Sequence, residues 1–238
     1  MMNIELDNNI DTSNISKNIY LSLKNQILNL QLLPNTKMSE VKIASMFKCS
    51  RTPVRDAFHQ LRVEGFLESR PQVGTFVPKI DMKRVEEVRF VRESLEIAVI
   101  KYGMKKHMFD PYIETFQNMI DEQDRVYADG KYDEFNEMDM DFHGYFRKIT
   151  GKECSKLYSG DEDINYARLR FMSVRYEKNW HIAIEHHQAI LDAVKNGNLE
   201  QMEEAVTVHL HNLYQVLNTT ELNNPEYIVN YVCPDIIY

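Results

Sequence analysis

The sequence has few of the residues that build tight turns, disulfides and strand-rich folds. Its 238 residues include eight Gly, seven Pro and three Cys. So little Gly and Pro argues against a large all-β or loop-rich fold. The cysteines, one in each of three distant stretches, form no C-x-x-C pair, which favours a reducing cytoplasm. No run of 18 apolar residues occurs, and the first residues are polar and acidic, so we expect neither a membrane span nor a secretory signal.

Charge is distributed unevenly along the chain, although the net charge is −8. Residues 1–80 carry ten Lys and Arg against seven Asp and Glu, a net of +3. The remaining 158 residues carry eighteen against twenty-nine, a net of −11. A mildly basic beginning followed by an acidic body indicates two domains with different partners.

The first third of the chain has the element order of a winged helix-turn-helix. Residues 1–14 are expected to form a flexible tail, and residues 15–79 a DNA-binding domain. A stripe of apolar residues from Ile19 to Leu30 predicts the first helix. Ser39 is expected to cap a second helix, and Ser50 a third that Gly65 closes. Two short extended runs, 66–69 and 75–78, then predict a hairpin.

The rest of the chain is expected to be helical. Long apolar periodicities predict helices at 82–107, 111–128, 131–150, 154–176, 181–196 and 198–218, separated by short breaks. Helices of this length with short connections are typical of an antiparallel bundle. The predicted fold is therefore mainly α, with an all-α domain over 80–218. Residues 219–238 form a C-terminal tail that is apolar enough to dock on the rest of the protein.

The third helix has the composition of a DNA recognition helix. Short polar and cationic side chains at its leading end would enter the major groove, where Arg pairs with guanine and Thr contacts a phosphate or a thymine methyl. The hairpin tip would lie along the backbone or minor groove. The expected DNA-binding residues are Ser50, Arg51, Thr52, Arg55, Arg62, Arg70 and Gly74. The alternative is that these cations form the solvated face of an ordinary helix.

Spacing also predicts a metal site in the helical domain. Asp139 and His143 are four residues apart, so they share a helix face. Two later histidines, His187 and His209, lie almost level on consecutive helices joined at 196–198. His186 and His211 point elsewhere by helical rotation. One carboxylate and three imidazoles suit a divalent Zn, Ni or Mn ion. Buried, hydrogen-bonded histidines without a metal are the alternative.

These motifs resemble the GntR family of bacterial transcription regulators. The similarity spans 20–77 and includes "SRTPVRDAF", "L-x-x-EGFLE" and "P-x-VGTFV". Residues 82–217 resemble the FCD effector domain of the FadR-type branch, through "R-x-x-LE" at Arg92, "D-x-x-FH" at Asp139, the region of His187, and "A-x-x-x-HL" around His209. In metal-binding members an Asp and three His hold the ion, which the resemblance assigns to Asp139, His143, His187 and His209.

The resemblance further implies that the metal's open positions receive a carboxylate metabolite. Arg92 is the first candidate for an effector-binding cation, with a surface pair to Glu96 as the alternative. Arg168, Arg170 and Arg175 are weaker candidates, of which at least two are expected to be solvated.

The leading hypothesis is a metabolite-responsive repressor that binds an inverted-repeat operator in double-stranded DNA as a homodimer. This hypothesis predicts a cytoplasmic protein with no membrane partner and no enzymatic activity. One alternative is a metal-dependent enzyme, because an ion with open positions can activate water or dioxygen. Another is a DNA-binding scaffold whose metal-free helical domain only dimerises.

Overall fold

The computed structural model describes residues 14–153, 163–177, 180–213 and 226–230, with only the backbone described at 132–133 and 174–177. The chain divides into two compact units. The first, here the N-terminal unit, is Met1–Met82 with Asn223–Tyr231, and the second, the helical unit, is Lys83–Leu222 with Val232–Tyr238. The mainly α fold expected from the sequence is confirmed.

Three helices and a small sheet make up most of the N-terminal unit. In chain order they are α1 (Ile15–Leu28), β1 (Lys37–Met38), α2 (Glu40–Met46), α3 (Arg51–Val63), β2 (Glu68–Arg70) and β3 (Gly74–Phe76). Helices α1 and α3 pack against each other. Their apolar stripes supply fully buried side chains such as Leu23, Ile27 and Phe58, which fix the orientation of α3.

The helix starts in this unit follow local capping chemistry, with one exception. Asn14 accepts a hydrogen bond from the Lys17 amide at 3.2 Å and begins α1. Ser39 accepts one from the Lys42 amide at 3.4 Å and begins α2, as expected. Ser50 occupies the cap position of α3, but its side chain makes no capping hydrogen bond. Ser50 is thus the N-cap residue of α3, as expected, although its hydroxyl does not bond to the first turn.

The predicted hairpin is present, and it belongs to a three-stranded sheet. Strands β2 and β3 are antiparallel, with Ser69 opposite Thr75. Strand β1 pairs with the other side of β3, placing Met38 opposite Thr75 as well. Strand β1 was not predicted, because a run of two residues is too short to show an alternating pattern.

Part of the C-terminal tail also belongs to the N-terminal unit. Strand β5 (Ile228–Val229) pairs in parallel with β4 (Ile80–Asp81), with Ile80 opposite Ile228. The Ile80 amide donates to the Tyr227 carbonyl at 2.9 Å. The tail expected at 219–238 thus contributes a short strand, while residues 219–225 and 231–238 lie outside the described part of the chain.

The helical unit contains the bundle helices α4 (Met82–Met104), α5 (Ile113–Ala128), α6 (Tyr132–Thr150), α7 (Ile164–Glu177), α8 (Trp180–Lys195) and α9 (Leu199–His211). A 3-10 turn at Asp110–Tyr112 precedes α5. Helix α4 ends three residues earlier than predicted. Residues 154–162 of the predicted helix 154–176, and residues 214–218 of the predicted helix 198–218, fall outside the described residues. Among those residues, no helix combines the length and hydropathy that a bilayer span requires.

Aromatic rings fill the centre of the helical unit. Phe116 of α5 stacks on Phe146 of α6 with centroids 4.3 Å apart, and Phe109 meets Phe146 edge to face at 5.1 Å. Gly103 lets α4 approach this cluster, since a Cβ there would lie 2.2 Å from the Phe109 ring. This packing fixes α5 and α6, and with them the side chains that α6 directs inward.

Candidate DNA-binding surface and metal centre

One face of α3 is buried and the opposite face is exposed and cationic. Val54, Phe58 and Leu61 are buried completely. The side chains of Arg51 and Arg55 are 54% and 61% exposed. Thr52 is exposed as well, and Arg62 is partly buried on the last turn. The leading end of α3 thus presents the groups that contact base edges and phosphates in a major groove.

A glutamate of α2 joins the two exposed arginines. Arg51 Nη2 and Arg55 Nε both donate to Glu40 Oε2, at 3.2 and 3.0 Å. Burial opposes ionisation of Glu40, but these hydrogen bonds and the two positive charges lower the pKa of its carboxyl. Such exposed pairs contribute little to stability, so both arginines can exchange Glu40 for a DNA partner at small cost.

The wing residues have contacts within the protein itself. Arg70 Nη1 donates to Asn35 Oδ1 at 2.8 Å, Arg70 Nε donates to Glu68, and the guanidinium lies 4.2 Å from the centroid of the Phe76 ring. Gly74 has φ +134°, and a Cβ there would lie 2.9 Å from Lys37 Cε. Gly74 therefore shapes the wing whether or not its backbone contacts DNA.

In the helical unit, the structure brings together the four residues expected to bind metal. Asp139 and His143 come from α6, His187 from α8 and His209 from α9. All four are buried, and one potential ligand atom from each lies within 4.8 Å of all the others. Asp139 Oδ1 is 3.4 Å from His187 Nε2, and 3.9 Å from Nε2 of both His143 and His209.

The nitrogen atoms at the centre of this cluster fit a cation. His143 Nε2 and His209 Nε2 face each other at 2.9 Å. Lone pairs at this distance repel unless a proton or a metal ion lies between them. His187 Nε2 is fully buried without a hydrogen-bond partner among the described residues, an arrangement that costs free energy unless a ligand satisfies it.

Burial favours the neutral forms of His187 and His209. It lowers the pKa of His187, and it lowers that of His209 further with help from the charges of His187 and His143. Burial alone would raise the pKa of Asp139, but the close contact with His187 and the neighbouring imidazoles hold it well below its ordinary value. An ionised carboxylate beside neutral imidazoles is the protonation state that divalent transition metals require.

The other two histidines of α8 and α9 point away from the cluster. His211 Nε2 lies 2.6 Å from Arg89 Nη1 and 3.4 Å from Glu93 Oε2. The His186 ring centroid is 6.1 Å from that of His209, and its Nδ1 faces no hydrogen-bond partner in the described residues. The rotation about each helix separates these residues from their neighbours His187 and His209.

Arg92 of α4 and two arginines of α7 are more deeply buried than expected. Arg92 is 1% exposed and donates from Nε to Glu96 Oε1 at 2.7 Å, so the pair exists but is buried and not on the surface. Arg168 and Arg170 are also buried, so the expectation that two of three α7 arginines are solvated is wrong. Burial lowers the pKa of Arg168 to about 10. The side chain of Arg175 lies outside the described residues.

Two models of known protein families match this chain and identify its class. The model of the FCD domain matches residues 87–212, and that of the bacterial regulatory proteins of the gntR family matches 15–77. The chain belongs to the GntR family. It is a DNA-binding transcription regulator with an FCD domain, and its family and relatives are regulators and not enzymes.

Several GntR-family relatives align over most of this chain. The HTH-type transcriptional repressor RspR of Escherichia coli K12 is 28% identical, and the alignment covers 91% of this chain and 94% of RspR. LutR of Bacillus subtilis is 26% identical, covering 81% and 96%. A putative GntR regulator of Rhodococcus sp. RHA1 has a similar structure, with TM-score 0.64, 22% identity, and coverage of 86% and 98%. This last similarity shows the shared fold.

Two residues that contact the Asp–His cluster of this GntR-family chain were not predicted. Glu96 Oε2 lies 2.7 Å from His143 Nδ1, and Gln123 Oε1 lies 2.7 Å from His187 Nδ1. Glu96 belongs to the "R-x-x-LE" motif, and its spacing from Arg92 indicated only a salt bridge. Gln123 of α5 had no distinguishing pattern, because its partner is 64 residues away.

Proposed function

We propose that this regulator is a repressor whose helical unit binds a divalent metal ion and, through it, a small carboxylate metabolite. The observation that carries the proposal is the buried convergence of Asp139, His143, His187 and His209. One carboxylate and three imidazoles favour Zn, Ni or Mn over Ca or Mg. The bound ion would supply a Lewis-acidic centre for a ligand carboxylate, while the chain's own residues hold and orient that ligand.

A cavity next to the cluster supports the effector part of the proposal. It is small, about 50 Å³, it opens to solvent, and its wall includes Asp139, His209, Tyr166, Arg92 and Arg170. Arg170 Nη1 lies 3.8 Å from Asp139 Oδ2. Two guanidinium groups beside a metal site favour an anionic ligand. We therefore keep Arg92 as an effector-binding candidate and give Arg170, a weaker candidate from the sequence, the same standing.

The DNA-binding part of the proposal assigns specific contacts to α3 and the wing. Arg51, Thr52 and Arg55 contact base edges and phosphates, and Ser50, Arg62, Arg70 and Gly74 contact or shape the approach to the backbone. Exposure of Arg51 and Arg55 on one helix face supports this assignment.

A homodimer would let two N-terminal units, one from each copy of the chain, bind the two halves of an inverted repeat. In support, α4 exposes large apolar side chains on the face opposite its buried residues, since Phe90 is 65% and Val91 41% exposed. Ser94 and Ala98 continue this face, so a second copy of the helix can pack closely. Sedimentation of the full chain tests this, since a monomer at micromolar concentration would contradict the dimer.

The effector proposal is tested by titrating small carboxylates into metal-loaded and chelator-treated protein. A true effector should raise the thermal midpoint of the metal-loaded form only, and should change operator affinity over the same concentration range. An uncharged amide of the same metabolite is the matched control. Equal stabilisation with and without metal, or no effect of any carboxylate on operator binding, would contradict the proposal.

A further inference from the structure

A histidine ligates a metal through one ring nitrogen, so the group bound to the other nitrogen decides how well it does so. A partner that accepts a hydrogen bond at Nδ1 places the ring proton there and leaves the Nε2 lone pair for the metal. A partner that donates to Nδ1 does the opposite. The contacts of Nδ1 in His143, His187 and His209 therefore carry information that the ligand cluster alone does not.

The partner of His187 is oriented by a backbone carbonyl. Gln123 is completely buried, and its Nε2 donates to the Met138 carbonyl oxygen at 3.3 Å. A carbonyl oxygen only accepts, so the amide nitrogen of Gln123 has to face Met138 and its oxygen has to face His187. Gln123 Oε1 lies 2.7 Å from His187 Nδ1, which must then carry the proton. The Nε2 lone pair of His187 consequently points toward Asp139.

The partner of His143 is oriented by an arginine. Glu96 is 5% exposed, and its Oε1 accepts a hydrogen bond from Arg92 Nε at 2.7 Å. Its other oxygen, Oε2, lies 2.7 Å from His143 Nδ1, an ion-pair contact whose angle falls outside the hydrogen-bond range. An ionised carboxylate only accepts, so it favours a proton on Nδ1 and leaves the Nε2 lone pair of His143 facing the cluster.

The third histidine lacks such a partner within the described residues. His209 Nδ1 is buried and makes no hydrogen bond there. We propose that Glu96 and Gln123 are positioning residues of the metal centre, which fix the Nδ1-protonated tautomers of His143 and His187 and thereby aim both Nε2 atoms at the ion. This inference rests on the proposed metal site. It also gives Arg92 a second role, that of holding Glu96 in place.

The most direct test reads the tautomers in the metal-free full-length protein. Nitrogen-15 chemical shifts of the imidazole rings distinguish the Nδ1-protonated form from the Nε2-protonated form. At neutral pH, His143 and His187 should both be protonated at Nδ1. Protonation at Nε2 in either ring would overturn the proposal for the residue that contacts it, whether or not the protein binds metal.

Metal affinity provides the second test, with zinc as the probe. Gln123→Met and Glu96→Gln should each weaken zinc binding by roughly 10–100-fold, as loss of an outer partner does at other metal sites. Gln123→Glu keeps an acceptor at Nδ1 and should restore most of the affinity. Unchanged zinc affinity in Gln123→Met would overturn the role of Gln123, and unchanged affinity in Glu96→Gln would overturn that of Glu96.

Matched controls separate these effects from general damage. Gln117→Met changes another glutamine of α5, one that contacts Gln188 and not a ligand histidine. Glu87→Gln removes the same charge from an exposed position of α4. Both should bind zinc like the wild type, and a matching loss in either would overturn the specific role proposed. Absence of zinc binding by the wild type would refute the metal site itself, a result distinct from a wrong tautomer.

Discussion

The two units present their functional side chains in opposite ways. In the N-terminal unit, Arg51 and Arg55 are more than half exposed, and their contacts with Glu40 are surface ion pairs. In the helical unit, His187 is completely buried and Asp139 nearly so, among aromatic rings and further charges. In the N-terminal unit, the DNA-binding candidates can therefore be replaced with little effect on stability. In the helical unit, the candidate binding site is part of the core, so replacing its residues affects stability as well.

The largest effect on stability is expected from Phe116→Ala. Its ring contacts Phe109, Phe142, Tyr145 and Phe146 at the centre of the helical unit. The free energy of unfolding should fall by about 3–5 kcal/mol, through lost burial and the cavity left behind. Chemical denaturation measures this change. Tyr112→Ala, which removes a more exposed ring from the same region, should cost clearly less, and equal losses would break the proposed contrast between core and surface.

Arg51→Ala and Arg55→Ala should affect DNA binding and leave stability almost unchanged. If either arginine contacts a guanine, the loss should be about 1–3 kcal/mol at one operator position. A uniform loss on all DNA with a shallower salt dependence would assign that arginine to a phosphate. Binding titrations on operator and random duplexes measure both. Lys17→Ala removes the same charge from an exposed part of α1 and should have little effect, whereas undiminished binding by both arginine variants would refute the α3 interface.

Acidification should destabilise the helical unit of the metal-free protein before it affects the N-terminal unit. Burial lowers the pKa of His187 and His209, so the unfolded chain takes up protons at a pH where these folded side chains do not. Above the unfolded pKa of about 6.5 the two histidines cost the folded state nothing. As pH falls below that value, the free energy of unfolding declines by up to about 1.4 kcal/mol per pH unit for each proton. Amide hydrogen exchange can follow each unit separately, and equal protection of the helical unit at pH 7.5 and 5.5 would contradict this.

A smaller effect is expected where α9 begins. Asn198 accepts a hydrogen bond from the Gln201 amide at 3.1 Å, in the turn that sets His187 level with His209. Asn198→Ala should lower the free energy of unfolding by about 1 kcal/mol, a typical value for loss of a helix cap. The matched variant Asn196→Ala changes an exposed residue of the same turn outside the cap. Thermal denaturation compares the two, and equal stability would show that the cap does not stabilise α9.

Features that depend on regular local geometry could be predicted from the sequence. The pairing of Asp139 with His143 follows from their spacing on one helix, and the approach of His187 to His209 follows from the length of a helical hairpin. The cap at Ser39 and the wing hairpin also depend on nearby residues. Each of these requires only a short stretch of chain, or one turn between two helices.

Features that depend on distant partners could not be predicted in this way. Gln123 is an ordinary polar residue of an amphipathic helix until folding places it against His187 and the Met138 carbonyl. Burial of Arg168 and Arg170 contradicts the general preference of arginine for solvent. Strand β5 pairs with residues almost 150 positions earlier in the chain. In each case the decisive contact comes from another part of the sequence.

The central claim, that Asp139, His143, His187 and His209 hold one metal ion, is tested most directly by elemental analysis of four alanine variants. His187→Ala and His209→Ala should lose stoichiometric metal while still binding operator, because each removes one of the four ligands and so weakens binding of the ion. The neighbouring variants His186→Ala and His211→Ala should keep metal near the wild-type level, because these side chains point away from the cluster. Full metal content in the His187 and His209 variants would contradict the claim and leave the helical unit without the proposed site.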